Sequence, residues 1–440
     1  MWIFSLFTTP CVNIAFLNIV LDYFLAHFST TNYKRTIPIL FHIFTAPTTT
    51  ITIFLVKTII IIERIKMEIE VLAEKLSKAL NNVSRIANGR VTLPVLNNVL
   101  IKVKDKKVSF ITTNLDMAMI DFLPVSSSKD GVITVPAKLL AEFVSILPKE
   151  EKVKISSKDN KITIKANKYS SIINGTPADD FPELPEINEK EAVVFKMGVE
   201  EFKNSISQVI IASSNDFNRP ALTGVHFYTS NNSLFIVATD GYRLAKKKLI
   251  DKVKSEVKVT IPSNSLQEVV RSINDEMDEI EISFNNDLIR FRIGEIEIIS
   301  KIIDAEYPNV DNLIPKSSEI TLEVDKSELI RVAKLASLFA RQATNDIITC
   351  EAKSPDIFSV YSITNEYGEN DSFIETKVDT DGKVSITSKY LLDALNVMDT
   401  PKISINFTNI TDKTNTINAP MILKEKNSED YIHLLMPVNI

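Results

Sequence analysis

A pair of amphipathic helices, each entered from a short strand, occurs three times between residues 67 and 440. The first helix of each pair begins at Ile69-Glu70-Val71, Met197-Gly198-Val199 and Glu323-Val324-Asp325, starts that lie 128 and 126 residues apart. The second follows Val135-Pro136, Ile261-Pro262 and Ile386-Thr387, spaced by 126 and 125. Two independent markers give one period, and a period of this length is a domain of ordinary size, so the chain is three copies of one unit. Within each unit the first helix precedes the second by 66, 64 and 63 residues, which makes each unit nearly two similar halves.

Between the helices lie runs with β character: Ile101 to Ile111, Lys152 to Ile164, Ser233 to Ala238, Glu279 to Ile293, Ile357 to Thr364 and Ile403 to Phe407. Their alternation and β-branched content predict strands. The helices carry apolar residues at i, i+3, i+4 and i+7, as in Leu72, Leu76, Leu80 and Val83, or Leu329, Val332, Leu335, Ala336 and Phe339. Pro136 and Pro262 sit where a first helical turn tolerates proline, and Ser263 and Ser388 lie near the expected N-caps. The expected fold is α+β: three repeated domains, each with two helices packed on antiparallel sheet. Pro182 to Glu191 and Asn309 to Ser318 are the candidate linkers, giving domains 67–190, 191–318 and 319–440.

Composition then removes whole classes of chemistry. Only nine glycines occur, and even the nearest two, Gly368 and Gly382, are too far apart for GxxxxGK[ST], GxGxxG or GxSxG. His27, His42, His226 and His433 are scattered and form no HExxH, and Cys11 and Cys350 cannot make a Cys-rich zinc site. No metal, no cofactor and no catalytic residue is expected, and two lone cysteines suit a reducing, cytoplasmic compartment. Asp179-Asp180 has no carboxylate or basic partner in sequence and, followed by Phe181-Pro182, is expected to turn the chain at a domain end.

Residues 1–66 differ from everything that follows. They hold no glycine, seven charges and long apolar runs such as Ile51 to Ile62. Residues 1–28 and Ile37 to Ile62 have the length of membrane spans, the second interrupted by Pro47 and Lys57. The basic flank of a signal peptide is missing. The Ile/Phe/Thr/Asn bias also fits AT-rich DNA translated upstream of a start at Met67, and the expectation is an apolar extension outside the native fold. Without it, residues 67–440 carry 45 basic and 54 acidic side chains, a soluble acidic protein.

Against that background the six helices, taken as 71–88, 136–148, 198–214, 262–274, 325–341 and 387–399, hold 11 basic and nine acidic residues. Helices that run positive on an acidic protein could face a polyanion. Mixed charge on amphipathic helices is also ordinary solvation.

Arg219-Pro220-Ala221-Leu222-Thr223-Gly224-Val225, followed by Ala238-Thr239-Asp240-Gly241-Tyr242-Arg243-Leu244-Ala245, resembles the central signature of the bacterial DNA polymerase III β sliding-clamp family. Leu93-Pro94-Val95-Leu96-Asn97-Asn98, Ala178-Asp179-Asp180-Phe181-Pro182, Tyr307-Pro308 with Leu313-Ile314-Pro315, and Leu435-Met436-Pro437-Val438 follow in the family's order. The resemblance implies a non-enzymatic processivity factor: a head-to-tail homodimer whose helices line a hole around double-stranded DNA. It also implies a pocket for linear peptide motifs of the replicative polymerase and the clamp loader, made by Leu222, Thr239, Gly241, Tyr242, Arg243, Leu244, Pro308, Leu313, Leu434, Met436, Pro437 and Val438. Arg90, Lys138, Lys75, Lys203, Lys334 and Lys389 are the expected DNA-facing residues, since sliding needs phosphate contacts that read no base. Asn312 and Asn439 stand where the family often has a basic residue, and the extension before Met67 is a third departure. A rival is an enzyme of phosphate chemistry, disfavoured by the missing phosphate loops. Another is a membrane-anchored scaffold, which requires residues 1–66.

Overall fold

A computed structural model describes residues 67–440 except 88–92, 126, 189–191, 316, 343–345, 410–418, 427 and 439–440. The first repeat runs β1 (Glu68–Leu72), α1 (Ala73–Ser84), β2 (Asn98–Lys104), β3 (Lys107–Thr113), β4 (Met117–Pro124), β5 (Ser127–Lys129), β6 (Gly131–Pro136), α2 (Ala137–Ile146), β7 (Lys152–Lys158), β8 (Lys161–Ala166) and β9 (Tyr169–Asn174). The second runs β10 (Val193–Gly198), α3 (Val199–Ile210), β11 (Gly224–Ser230), β12 (Ser233–Thr239), β13 (Arg243–Ile250), β14 (Lys258–Pro262), α4 (Ser263–Ser272), β15 (Glu279–Phe284), β16 (Leu288–Ile293) and β17 (Ile296–Lys301). The third runs β18 (Ile320–Asp325), α5 (Lys326–Ala340), β19 (Ile347–Lys353), β20 (Ile357–Thr364), β21 (Gly368–Glu375), β22 (Gly382–Thr387), α6 (Ser388–Val397), β23 (Lys402–Phe407), β24 (Met421–Glu425) and β25 (Tyr431–Leu435).

Helices form where apolar residues recur on one face. In α1 that face is Ala73, Leu76, Ala79, Leu80 and Val83, all buried. Asp325 caps α5, its Oδ1 accepting from the backbone N–H groups of Ser327 and Glu328 at 2.9 and 3.1 Å, a device worth about 1 kcal/mol. Pro136 and Pro262 fall one place earlier than expected. Each ends a strand and holds the N-cap position, as Thr387 does in the third repeat, so Ala137, Ser263 and Ser388 become the first helical residues. Three of the long β runs break into hairpins. The runs 101–111 and 152–164 turn at Asp105-Lys106 and Asp159-Asn160, where both residues have φ between 51° and 62°. That is the type I′ turn that matches strand twist, built here without glycine.

The sequence leads one to expect that each repeat lays its helices on a sheet of its own. Instead each contributes strands to two sheets, and two eight-stranded sheets cross the repeat boundaries. β4 pairs with β17, from Asp121 opposite Ile296 to Met117 opposite Ser300. β13 pairs with β25, from Lys247 opposite Tyr431 to Arg243 opposite Leu435. An edge strand is a row of unpaired backbone donors and acceptors, and the neighbouring repeat satisfies it. Side chains reinforce both junctions. Arg85 Nε meets Glu268 at 2.8 Å and its Nη2 donates to Ser272 Oγ at 2.9 Å, while Lys78 meets Glu276 at 3.0 Å. At the other junction Gln208 Nε2 donates to Glu425 Oε1 at 3.1 Å and the Tyr431 hydroxyl donates to the Gln208 carbonyl at 3.0 Å. The row ends in a five-stranded sheet with β9 at one edge and a four-stranded sheet with β21 at one edge.

Candidate peptide pocket and nucleic-acid face

One turn is built the same way in all three repeats. The Thr113, Thr239 and Thr364 hydroxyls donate to the carbonyls of Met117, Arg243 and Gly368, each four residues on, at 2.9, 2.6 and 2.9 Å. In the second repeat the same hydroxyl accepts from Gly241 N–H, and Asp240 Oδ1 accepts from the N–H groups of Tyr242 and Arg243. Gly241 has φ +92°, which a side chain would strain. Thr239 is therefore buried turn machinery, and Tyr242, 63% exposed, is what the turn presents.

Around this hairpin the fold gathers a small apolar cluster separate from the main core. Val237, Leu244, Tyr307, Val310, Ile422 and Leu434 are buried in it, with Ala221, Leu222 and Ile314 partly buried against it. Leu244 and Leu434 lie opposite each other across the β13–β25 ladder. Both are buried, Leu434 at 2% exposure, so they lie beneath the surface of the cluster. Pro308 and Leu313 are exposed on the following loop, and Met436, Pro437 and Val438 are half-buried at its other side, where Met436 N–H donates to the Tyr242 carbonyl at 2.9 Å. The loop is tied down by Asp311, which accepts from Lys246 at 2.7 Å and from the Tyr228 hydroxyl at 3.0 Å. Burial would raise the Asp311 carboxyl, but the Lys246 and Tyr228 hydrogen bonds outweigh it and hold it below its ordinary value. His226 stacks on Tyr307 at 4.6 Å between ring centres, and burial, with Lys258 nearby, lowers its pKa to about 4.

Arg243, one of the expected pocket residues, has its side chain engaged within the fold. Its side chain is 10% exposed; Nε meets Asp240 at 3.1 Å, Nη1 meets Asp393 of α6 at 2.8 Å, and the guanidinium lies 4.4 Å over the Tyr390 ring. It fastens the hairpin to the third repeat. The exposed cation beside the hairpin is Arg219, whose Nη1 comes within 3.6 Å of where a side chain on Gly241 would begin. Arg219 opens the motif Arg219 to Val225, whose Pro and Gly signal a backbone turn more strongly than a binding cation. Val310 and Ile422 carry no sequence signal beyond being apolar.

Of the DNA-facing candidates, Lys75, Lys138, Lys334 and Lys389 are exposed. Lys138 and Lys389 hold the second position of α2 and α6, a place taken by Asn264 in α4. Lys203 is half-buried and meets Glu200 at 3.5 Å. Arg90 and Asn439 lie outside the described residues, as does the whole apolar extension. Lys78, Arg85 and Arg271 are engaged with carboxylates, so part of the positive charge on the helices is neutralised within the fold. Among the described residues no cluster of three metal-ligating side chains occurs and no helix is long and apolar enough to cross a membrane. Cys350 is buried, which pushes its thiol up to about 12 and makes it inert.

Three family models match: DNA polymerase III beta subunit, N-terminal domain over residues 67–185, central domain over 196–309 and C-terminal domain over 311–439. Beta sliding clamps of Staphylococcus aureus and Bacillus subtilis are each 28% identical over 385 residues, covering 84% of this chain and 99% of theirs. A crystal structure of a Bacillus subtilis DNA polymerase sliding clamp aligns with a TM-score of 0.79 at 26% identity, covering 85% of this chain and 99% of that one. One from Pseudomonas aeruginosa aligns at 0.78 and 23%, covering 85% of this chain and 100% of that one, a likeness of fold.

Proposed function

The chain belongs to the DNA polymerase III beta-subunit family of sliding clamps, and we propose that it works as a closed ring of two copies that encircles duplex DNA and tethers the replicative polymerase. It is a processivity factor and not an enzyme. The observation that carries the ring is the open row of sheets: three repeats share sheets at two boundaries and stop at β9 and β21 with an edge strand at each end. An odd number of like units with complementary ends closes symmetrically when two chains join head to tail. Topological tethering needs no tight grip. Exposed lysines such as Lys75, Lys138, Lys334 and Lys389 would meet phosphates at nearly equal energy in every register, so the ring slides.

The peptide site is the hairpin 239–244, the turn Pro220–Thr223, the loop 307–314 and residues 434–438. What supports it is the separate apolar cluster beneath an open surface of Leu222, Tyr242, Pro308, Leu313, Met436, Pro437 and Val438. An unbranched, polarizable methionine adapts to different apolar side chains, which suits one pocket serving a polymerase and a clamp loader. Work on DNA with those partners fits the cytoplasm. The repeats are assigned as domains 67–190, 191–318 and 319–440, with residues 1–66 outside the functional ring. Light scattering on the full chain tests the ring: the expected mass is twice 49.4 kDa, and a monomer at micromolar concentration contradicts it.

A further inference from the structure

The boundary between the first and second repeats rebuilds the skeleton of the peptide site bond for bond. The turn Pro94–Asn97 answers Pro220–Thr223, and Leu96 N–H donates to the Leu93 carbonyl at 3.1 Å where Leu222 N–H donates to that of Arg219 at 3.0 Å. In the hairpin 113–118 the Thr113 hydroxyl accepts from Leu115 N–H at 3.1 Å, and Asn114 Oδ1 accepts from the N–H groups of Asp116 and Met117, the bonds that Thr239 and Asp240 make. Across the boundary Lys301 N–H donates to the Asp116 carbonyl at 2.8 Å, as Met436 N–H does to that of Tyr242. Phe181-Pro182 stands where the second repeat has Tyr307-Pro308. Beneath lies another small apolar cluster outside the main core: Ile111, Ile120 and Phe181 are buried in it, with Val95, Phe122 and Leu184 partly buried against it.

The side chains mounted on this skeleton differ. Leu115 replaces Gly241 at the tip of the hairpin. It keeps the left-handed backbone, φ 76°, which a bulky residue adopts only at a cost, and it stands 45% exposed. Leu93, 47% exposed, replaces Arg219. Two large aliphatic side chains thus stand in water over an apolar cluster, one of them on a strained turn, a combination that marks an interaction surface. The rim is acidic. The loop that brings Phe181 and Leu184 to the cluster carries Asp179, Asp180, Glu183 and Glu186, all exposed. The nearby lysines are engaged, Lys301 with Asp116 at 3.4 Å and Lys107 with Glu295 at 3.0 Å. In the corresponding loop of the peptide site, Asp311 is neutralised by Lys246.

We propose that this surface is a second docking site, an inference that rests on the equivalent surface being a peptide site, and that its occupant is an extended peptide in which apolar side chains alternate with lysine or arginine. The apolar side chains pack on Leu93 and Leu115 over the cluster, and the cations face the carboxylates of the loop 179–186. That complementarity speeds encounter and rejects acidic peptides. A turn that already holds Leu115 in place has little freedom left to lose on binding. Because the two sites present different side chains and different charge on one backbone plan, they select different peptides.

The test titrates the full chain against fluorescent peptides and follows anisotropy. The probes are a synthetic peptide of alternating leucine and lysine, the same peptide with glutamate for lysine, and a clamp-binding polymerase peptide. The leucine–lysine peptide is expected to bind, the leucine–glutamate peptide to fail, and excess polymerase peptide to leave the first in place. Leu115→Asp keeps the fold, since aspartate accepts a left-handed backbone more readily than leucine. It also adds a negative charge, so a merely electrostatic attachment would tighten. The expected result is leucine–lysine binding weakened about tenfold with the polymerase peptide unaffected, and Met436→Ala doing the reverse. A leucine–lysine peptide that does not bind, that is matched by the leucine–glutamate peptide, that ignores Leu115→Asp or that the polymerase peptide displaces overturns the second site. Loss at Leu115→Asp beside a polymerase peptide indifferent to Met436→Ala supports the second site and counts against the pocket reading alone.

Discussion

Replacing Arg243 with alanine separates a residue that touches a partner from one that holds the site in place. Its guanidinium bonds Asp240 and Asp393 with the side chain 10% exposed and packed over Tyr390. At about 3 Å and an effective dielectric of about 20, each charge contact gives about 5 kcal/mol of attraction, most of it offset by desolvation. Alanine leaves Asp240, 14% exposed, with backbone donors alone. Asp393, 34% exposed, recovers part of its hydration, so the loss is at the lower end for a broken buried pair. The expected cost is about 2–4 kcal/mol of stability. Urea unfolding should show it as a lower midpoint, and Arg243→Lys should recover only part, lacking the planar fork. Peptide affinity should fall as a consequence of the loosened hairpin. Arg219→Ala, at an exposed position, should weaken peptide binding with stability changed by less than about 0.5 kcal/mol. An Arg243→Ala protein of unchanged stability that no longer binds peptide would refute the positioning role.

Met436→Ala should weaken binding of a clamp-binding polymerase peptide by about 1–3 kcal/mol, a factor of about 5 to 150, with thermal unfolding nearly unchanged; unchanged affinity in a calorimetric titration removes Met436 from the site. Burial raises the Asp121 carboxyl to about 6 against opposition from the Asn82 hydrogen bond. A carboxyl raised above its unfolded value favours the fold most below about pH 4, and that contribution disappears as pH rises through about 6. Asp121→Asn should therefore flatten stability across that window and stabilise the protein near neutral pH, by up to about 3 kcal/mol; denaturation midpoints measured from acid to neutral pH check it. Lys138→Ala with Lys389→Ala should make binding to short duplex DNA less sensitive to salt, lowering the log–log slope by about one for each phosphate the variant no longer neutralises, and an unchanged slope takes both off the DNA face.

The repeat was legible because helix periodicity and strand-to-helix transitions are local signals, and Pro136, Pro262 and Thr387 mark one of them in each unit. The hairpins inside the runs 101–111 and 152–164 were hidden because Asp105-Lys106 and Asp159-Asn160 adopt positive φ without the glycine that advertises such turns. Sheet sharing was hidden for a different reason. Pairing of β4 with β17 joins residues far apart in sequence, and nothing in either strand names its partner. The candidate site was legible as a cluster of motifs but not as roles. Arg219 and Arg243 flank the same hairpin and look alike in sequence, yet the fold buries one against Asp240 and Asp393 and leaves the other at the surface. Burial of that kind depends on α6, which arrives from another repeat.

The ring is tested most directly by retention on DNA whose topology is changed and nothing else. The protein is loaded onto a nicked circular plasmid by its clamp loader and washed at about 0.5 M salt, where ordinary phosphate binding no longer holds a protein on DNA. A closed ring stays on the circle and leaves when a single restriction cut linearises it. Equal retention on circular and linear DNA, or equal loss from both, would contradict a topological tether.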